Sequence, residues 1–273
     1  MILENLNIVL IGGSSAIGSN FAVAAKKNGA KIINIGRTNP NISGLDHIDA
    51  DIKDIDSIQN SIEKILLNIE KIDVVINFIG THHTPMNFLD GDPVQLINDF
   101  ERVIEINLIS AFSITMLFGK SMMLKKHGHI IHLCSNASRL SLYGSYAYNA
   151  SKHGVEGLIK TAATQFAPYR VRVNGVAPGT VETDLNRKLL RNSSNNNFTK
   201  RATSILAHTP TKKFATLEGI TESLIATCIP QRHLTGNLIF CDDGYNVEGH
   251  SWPDGNLALF EGEVSLNKLF SDL

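Results

Sequence analysis

Short apolar runs alternate with amphipathic segments along the chain. Runs that end at glycine or polar residues predict seven strands, of which the first is expected to be buried: Asn7–Ile11, Lys31–Gly36, His47–Ala50, Asp73–Phe78, Ile130–Cys134, Val171–Val176 and Leu238–Cys241. Apolar residues at helical spacing predict helices at Ile17–Asn28, Ile55–Ile69, a stretch that includes Asp99–Lys125, and Ala147–Phe166. Strands that alternate with helices predict an α/β fold, in which a parallel sheet is covered on both faces and the crossovers are right-handed.

The pattern divides the chain into one domain and two less regular segments. No linker or internal repeat interrupts residues 1–247, which we expect to form a single doubly wound domain. Residues 185–210 contain a polar break, Asn192–Asn197, between two predicted short helices, and we expect this segment to act as a substrate lid. Residues 248–273 form a C-terminal extension that we expect to cover the pocket or a neighbouring subunit.

The bulk composition narrows the class of protein. Of the 273 residues, 43% are hydrophobic and 19% are charged, which is an ordinary globular balance. The formal net charge of −1 gives no global field that would select nucleic acid or an acidic membrane. Three cysteines without CxxC spacing argue against a disulfide framework or a zinc site and favour the cytoplasm. We also expect no signal peptide and no membrane span.

The first strand runs into a glycine-rich turn, Ile11-Gly12-Gly13-Ser14-Ser15-Ala16-Ile17-Gly18. Glycine lets the backbone approach a pyrophosphate closely, and the N-terminus of the following helix favours negative charge. The turn therefore predicts a dinucleotide site formed by Gly12, Ser14, Ser15, Ile17 and Gly18. The alternative is a turn that serves only the close packing of strand and helix.

The end of the second strand indicates which nicotinamide cofactor the site takes. An acidic residue at this place would hold the ribose hydroxyls of NAD. Gly36 stands there instead, and Arg37 follows with a guanidinium that can grip a 2′-phosphate. These two positions favour NADP(H) over NAD(H), which stays allowed. The alternative for Arg37 is a solvated surface side chain.

Tyr148 and Lys152 are four residues apart on a predicted helix, so they share one face. A nearby ammonium stabilises the phenolate and makes proton exchange with a substrate feasible. Ser135 follows the fifth strand, where its hydroxyl could hydrogen-bond a substrate oxygen. A structural Tyr–Lys pair and a turn serine are the simpler alternatives. Asn107 interrupts an apolar helix and could merely bond its own backbone.

These residues together resemble the short-chain dehydrogenase/reductase family, in the short single-domain branch that includes 3-oxoacyl-carrier-protein reductases. The turn resembles the family's TGxxxGxG motif, with Ile11 and Ala16 as departures. The resemblance implies a Rossmann-type, seven-stranded sheet and the catalytic set Asn107, Ser135, Tyr148 and Lys152. It places Asn107 on a water that relays protons to Lys152. The resemblance covers roughly residues 5–247.

The same resemblance implies further cofactor contacts. Asn77-Phe78-Ile79-Gly80 is similar to the family's NNAG stretch, and Asn174–Thr183 is similar to its N-x-V-x-P-G-x-[IV]-x-T segment. Asp51 resembles the residue that contacts the adenine ring. The residues that the resemblance assigns to the cofactor beyond the turn and Arg37 are Asp51, Ile52, Asn77, Gly80, Tyr148, Lys152, Pro178, Gly179, Val181 and Thr183.

We therefore expect an oxidoreductase that moves a hydride between NADP(H) and a small-molecule carbonyl or secondary alcohol. A nucleotide-sensing protein with an idle site and an NAD(P)-using epimerase or dehydratase are the alternatives. The family implies a homo-oligomer, a dimer or a tetramer. His82 and His83 indicate a polar loop at the substrate mouth and not a metal site, and we expect no metal. Four basic residues that could meet an acidic substrate or remain solvated are Arg139, Arg187, Lys188 and Arg191.

Overall fold

The fold is a single parallel sheet of seven strands between layers of helices. The computed structural model describes residues 2–82, 89, 91–142, 144–184, 186–230 and 233–247. The strands are β1 (Asn7–Ile11), β2 (Lys31–Gly36), β3 (Asp46–Asp49), β4 (Val74–Asn77), β5 (Gly128–Leu133), β6 (Val171–Pro178) and β7 (Leu238–Cys241). Their order in the sheet is β3-β2-β1-β4-β5-β6-β7, and every neighbouring pair is parallel. The predicted Rossmann-type fold class is confirmed.

Helices cover both faces of this sheet. They are α1 (Ala16–Lys27), α2 (Ile55–Asn68), α3 (Pro93–Ile104), α4 (Ser110–Lys125), α5 (Tyr146–Phe166), α6 (Arg187–Leu190), α7 (Lys200–Ala207) and α8 (Leu217–Cys228). Helices α6 and α7 are the two short helices predicted within residues 185–210. Residue 185 and the extension 248–273 lie outside the described residues, so the expectation for the tail stays a prediction.

Helix α8 was not predicted, although its sequence carried a signal. Ile220, Leu224 and Cys228 are spaced by four residues and are fully buried against the sheet face that also holds α1. Thr216 caps the helix by accepting a hydrogen bond from the Gly219 amide. Because threonines and a glycine interrupt the apolar pattern, the segment has weak intrinsic helix propensity, and its packing on the sheet stabilises the helix.

The long predicted helix is two α-helices joined by one π-helical turn. Asp92 caps α3, and Pro93 occupies the first turn, where no backbone donor is needed. The π-helical turn Glu105–Ile109 then links α3 to α4 and contains Asn107. Such turns insert one extra residue and rotate the side chains that follow. The helix therefore bulges at the position that the sequence assigned to catalysis.

The joined stretch Pro93–Lys125 is long and apolar enough to cross a membrane by length and composition alone. We expected from the sequence that no stretch would be long and apolar enough to span a membrane, and by length and composition alone that expectation was wrong. Within its most apolar window 44% is buried inside the protein. Ile114 and Phe118 of α4 pack in the main core with β5 and α5 residues, which accounts for much of its apolar character.

The two sheet faces carry separate cores. The order in which successive strands are added to the sheet reverses between β1 and β4. One core packs α2, α4 and α5 on the sheet, and the other packs α1 and α8 on the opposite face. In such open sheets a crevice forms at the carboxyl ends of the strands where the order reverses. The glycine-rich turn follows β1 at this place, and Phe78–Gly80 follows β4.

Candidate active site

The glycine-rich turn is closely packed, which explains its composition. Gly12 adopts a left-handed φ of 75°. A Cβ at Gly13 would lie 2.6 Å from Asn34 Oδ1, and one at Gly18 would lie 2.8 Å from Gly13 Cα. Ser15 caps α1, since its Oγ accepts from the Gly18 amide at 3.1 Å. The turn therefore has no room for larger side chains at Gly13 and Gly18.

The same turn leaves backbone donors open at the start of α1. The first N–H groups of a helix have no intrahelical acceptor, and Ala16 and Ile17 provide two of them. Both residues line a large cavity, and Ser14 and Ser15 are exposed beside them. Free donors, the helix dipole and a close backbone make this turn suitable for a pyrophosphate.

Asn34 on β2 holds the turn in place, and the sequence analysis did not identify it. It is fully buried, and its Oδ1 accepts from the Gly13 amide at 2.8 Å. Its Nδ2 lies 2.9 Å from His47 Nδ1. The register of β1 and β2 pairs Leu10 with Asn34, so the amide reaches the turn directly. The sequence carried one signal of this role, because Asn34 is a polar residue inside an otherwise apolar strand.

Arg37 lies just after β2 and is exposed. Among the hydrogen bonds and ion pairs of the described residues it has no partner. Gly36 ends the strand, and a Cβ there would lie 3.7 Å from the Gly12 backbone. The end of β2 therefore offers a free guanidinium beside the turn and no acidic group.

Three further predicted cofactor residues lie near the crevice but outside the cavity lining. Asp51 is half-buried, and its Oδ1 accepts from the Lys53 amide at 3.0 Å. Ile52 packs against the main core. Asn77 is buried, and its Oδ1 accepts from the Ile79 amide at 2.9 Å, which shapes the chain that leaves β4.

A cavity of about 390 Å³ opens at the carboxyl ends of β1, β4, β5 and β6. Ten of the predicted site residues line it: Ser15, Ile17, Gly80, Ser135, Tyr148, Lys152, Pro178, Gly179, Val181 and Thr183. Glycine is required at position 179, because a Cβ there would lie 2.9 Å from Asp242 Cα. The structure therefore brings most of the predicted set to one place.

Lys152 is anchored at the floor of this cavity. Its side chain is buried, and Nζ donates to the Leu133 carbonyl at 2.9 Å. Nζ also lies 5.7 Å from the centre of the Tyr148 ring. A Cβ at Gly80 would lie 3.7 Å from Nζ, so the chain after β4 passes directly by the ammonium. The Lys152 amino group is therefore held beside the Tyr148 ring.

Asn107 does not bond its own helix backbone, contrary to the simpler alternative. Its Oδ1 accepts from the Thr81 amide at 2.7 Å, and its Nδ2 donates to the Thr81 carbonyl at 2.9 Å. Nδ2 also donates to Ser151 Oγ at 2.9 Å. Ser151, which the sequence analysis overlooked inside the Tyr148–Lys152 motif, donates onward to the Tyr148 carbonyl at 2.8 Å. Asn107 therefore ties the loop after β4 to α5.

Ser135 stands at the end of β5, and its Oγ accepts from the Ala137 amide at 3.2 Å. Ser135 and Tyr148 line both the large cavity and an adjoining one of about 180 Å³. His82 lies on this second cavity, with its ring edge-on to Tyr148 at 6.5 Å between centroids. The two side chains predicted to act on the substrate therefore stand where the cavities meet.

The second cavity is closed by the segment predicted as a lid. Leu189 and Leu190 of α6, Arg201 and Ile205 of α7, and Tyr245 lie on it. The four basic residues proposed for substrate contact do not line it. Arg191 instead forms a paired contact with Glu182, and Arg139 pairs with Glu156. Arg201, which the sequence analysis did not single out, is the basic residue on this cavity in the described structure.

Two buried groups under the site stay neutral. Burial lowers the pKa of His132 to about 3, and the Lys152 charge adds to the effect. His132 Nδ1 lies 3.2 Å from Asn77 Nδ2, and its Nε2 lies 3.0 Å from Thr115 Oγ1. Burial raises the pKa of the Cys134 thiol to about 12, so it is a packed side chain beside Ser135 and not a nucleophile.

No described group of three or more His, Cys, Asp or Glu side chains is arranged to hold a metal ion. This statement covers only the described residues, and His83 lies outside them.

Comparisons with known proteins agree with this architecture. The family model described as short chain dehydrogenase matches residues 6–194. An uncharacterized oxidoreductase of Escherichia coli, YgcW, is 28% identical over 251 residues, which are 90% of this chain and 94% of that protein. The 3-oxoacyl-[acyl-carrier-protein] reductase FabG of Escherichia coli is 31% identical over 197 residues, 69% of this chain and 79% of that one.

A similar solved structure is ElxO with NADP bound, which superposes with a TM-score of 0.77. The match covers 88% of this chain and 98% of that one at 23% identity, so it bears on the fold alone. The family model covers more than half of this chain, and the relatives align over most of their own length. The chain therefore belongs to the short-chain dehydrogenase family of oxidoreductases.

Proposed function

We propose that this protein is an NADP(H)-dependent oxidoreductase that interconverts a carbonyl compound and a secondary alcohol. The observation that carries the proposal is the place of Ser135 and Tyr148 at the junction of the two cavities. One cavity adjoins the phosphate-binding turn, and the other is closed by α6 and α7. A substrate in the second cavity would meet both hydroxyls at the mouth of the first.

Each side chain has a defined role in this proposal. The bound nicotinamide supplies or accepts the hydride at the substrate carbon. Tyr148 donates its proton to the carbonyl oxygen during reduction and accepts it during oxidation, and Ser135 hydrogen-bonds that oxygen. Lys152 stabilises the phenolate form of Tyr148. Asn107 positions the Thr81 loop and α5, and a water beside it passes protons to Lys152.

The choice of NADP(H) rests on the end of β2. Arg37 is exposed and free to pair with a 2′-phosphate, and Gly36 presents no acid that would repel it. Gly12, Ser14, Ser15, Ile17 and Gly18 would hold the pyrophosphate. Pro178, Gly179, Val181 and Thr183 would line the nicotinamide end.

The named relatives act on different carbonyl and alcohol compounds, so they do not indicate one substrate class. FabG is named as a reductase of 3-oxoacyl groups on acyl carrier protein. The 2-dehydro-3-deoxy-D-gluconate 5-dehydrogenase of Formosa agariphila is 34% identical, but the match covers only 45% of each chain. Both names fit a small-molecule C=O or CH–OH group at Ser135 and Tyr148.

We also propose that the protein acts in the cytoplasm as a homo-oligomer. Ile109, Phe112 and Met116 share one face of the helical stretch that contains α4, and each is about half exposed. Val94 and Ile97 of α3 are also exposed. An apolar surface of this kind on a globular enzyme is typical of a subunit interface.

The test of the function is turnover with a broad panel of ketones, aldehydes and secondary alcohols, followed at the nicotinamide absorbance with NADP(H) and NAD(H). Tyr148→Phe is expected to reduce kcat by about 10²- to 10⁴-fold while leaving nucleotide binding intact. Tyr146→Phe, two residues away on the same helix, is the matched control. Wild-type turnover in Tyr148→Phe, or nucleotide binding without any turnover, would refute the proposal.

A further inference from the structure

The second cavity carries an unused charge. Arg201 lies on its wall, and among the described residues it forms no hydrogen bond and no ion pair. The other titratable side chains on this cavity are His82, Tyr148 and Tyr245. A guanidinium is protonated at every physiological pH, so Arg201 is the one fixed charge that the described lining contributes.

The geometry of α7 directs Arg201 toward the cavity. Thr199 caps the helix, since its Oγ1 accepts from the Ala202 amide at 3.2 Å. Arg201 and Ile205 are four residues apart and so share one face of α7, and both line the cavity. Ala202 is fully buried on the adjoining face, while Lys200 is exposed and outside the lining. The helix therefore fixes which of its two neighbouring cations faces inward.

The neighbouring cation of the lid is already neutralised. Arg191 Nη2 lies 2.8 Å from Glu182 Oε2, and its Nε bonds both oxygens of the same carboxylate. Its guanidinium also stacks on the Phe198 ring at 4.0 Å. Arg191 is therefore paired with Glu182, whereas Arg201 on the cavity wall is available for a ligand.

We propose that Arg201 binds an anionic group of the substrate, so that the protein acts on small oxo acids and hydroxy acids. The inference rests on the proposed function and names its substrate class. The cavity walls beside Arg201 include Leu142, Leu189, Leu190 and Ile205. In such surroundings a guanidinium–carboxylate contact is stronger than it is in water.

The volume of the cavity limits the size of that acid. At about 180 Å³ it is smaller than the roughly 300–1,000 Å³ of typical ligand pockets. The substrate's reacting carbon must lie at Ser135 and Tyr148 while its carboxylate reaches Arg201. The small volume therefore favours a short-chain acid over a long one.

The experiment compares acids with their neutral esters. The probes are 2-, 3- and 4-oxopentanoate and the three methyl esters, assayed for kcat/KM with the preferred nicotinamide cofactor. Wild type is expected to favour at least one acid over its ester by about 10- to 100-fold. Arg201→Gln is expected to lower kcat/KM for that acid by about 10- to 100-fold and so to remove the preference, and Arg201→Lys retains part of it. Lys200→Gln is the matched control and behaves as wild type.

A binding measurement tests the contact between Arg201 and an anionic group without requiring turnover. Isothermal titration with butanoate and with butanamide is expected to show tighter binding of the anion in wild type and equal binding in Arg201→Gln. Equal binding of the two probes to wild type, or an unchanged preference in Arg201→Gln, overturns the inference. Absence of turnover with every carbonyl compound instead refutes the proposed function, so the two failures are distinct.

Discussion

The amide of Asn107 is joined to Ser151 by a hydrogen bond of 2.9 Å, and the Ser151 hydroxyl is joined in turn to the Tyr148 carbonyl at 2.8 Å. These bonds connect the π-helical turn to the first turns of α5. They do so underneath the pair Tyr148 and Lys152, where both Asn107 and Ser151 are buried. The position of the proposed proton donor therefore depends on a hydroxyl that never reaches the substrate.

Ser151→Ala tests this positioning role. The change removes two hydrogen bonds, but Asn107 Nδ2 keeps its bond to the Thr81 carbonyl, so the amide is not left without a partner. We expect unfolding free energy to fall by about 1 kcal/mol and kcat to fall about tenfold, with little change in cofactor KM. Thr161→Ala is the control, because this exposed hydroxyl bonds only its own helix at Gly157. A variant with wild-type kcat would show that the bond does not position Tyr148.

Gly36→Asp combined with Arg37→Gln tests the cofactor preference. A Cβ at Gly36 would lie 3.7 Å from Gly12, which is an ordinary contact, so the backbone there accepts a side chain. Its carboxylate repels a 2′-phosphate and can accept from the ribose hydroxyls of NAD. We expect the Kd for NADP to rise about 10- to 100-fold and the Kd for NAD to fall, measured by nucleotide titration. Arg37→Lys keeps the charge and serves as the control, and an unchanged NADP-to-NAD ratio contradicts the assignment.

Local patterns were sufficient to predict most of the fold. Most of the seven strands contain short apolar runs that end at turn residues, and the turn Gly12–Gly18 is compact in sequence, so neither needs long-range information. Helix α8 was missed because its packing on the sheet, and not its own propensity, stabilises it. The π-helical turn at Asn107 was missed because one extra residue in a helix leaves no clear trace in the apolar pattern.

Site residues that depend on tertiary contacts were the ones that the sequence did not reveal. Asn34 acts through the register of β2 beside β1, which places its amide against Gly13. Arg201 on α7 lies far from Ser135 and Tyr148 in the sequence and shares a cavity with them only in the folded protein, whereas His82 had been expected at the substrate mouth. The sequence also could not show that Arg191 pairs with Glu182 while Arg201 lies on the cavity.

His132 makes stability depend on pH in a defined direction. Its pKa falls from 6.5 to about 3 in the folded protein, so below pH 6.5 the unfolded state binds more protons. Stability is therefore lost as the pH falls from 6.5 toward 3, by about 2 kcal/mol at pH 5 for this residue. His132→Gln is expected to lose about 2 kcal/mol less than wild type between pH 7 and pH 5, measured by urea unfolding. The exposed His153→Gln is the control, and an equal loss in His132→Gln and wild type would contradict the assignment.

Phe112→Asp tests the proposed subunit interface. Phe112 is 50% exposed and lies between Ile109 and Met116, which are 52% and 46% exposed on the same helical face. If this face packs against a second copy, a carboxylate at its centre would be buried without a partner, and association would be strongly weakened. We expect light scattering after size exclusion to show an oligomer for wild type and a smaller species for Phe112→Asp at micromolar concentration. Val23→Asp is the control, because Val23 is 56% exposed on α1, which packs on the opposite face of the sheet. A monomeric wild type, or a Phe112→Asp variant that assembles as wild type does, would show that the apolar face has another role.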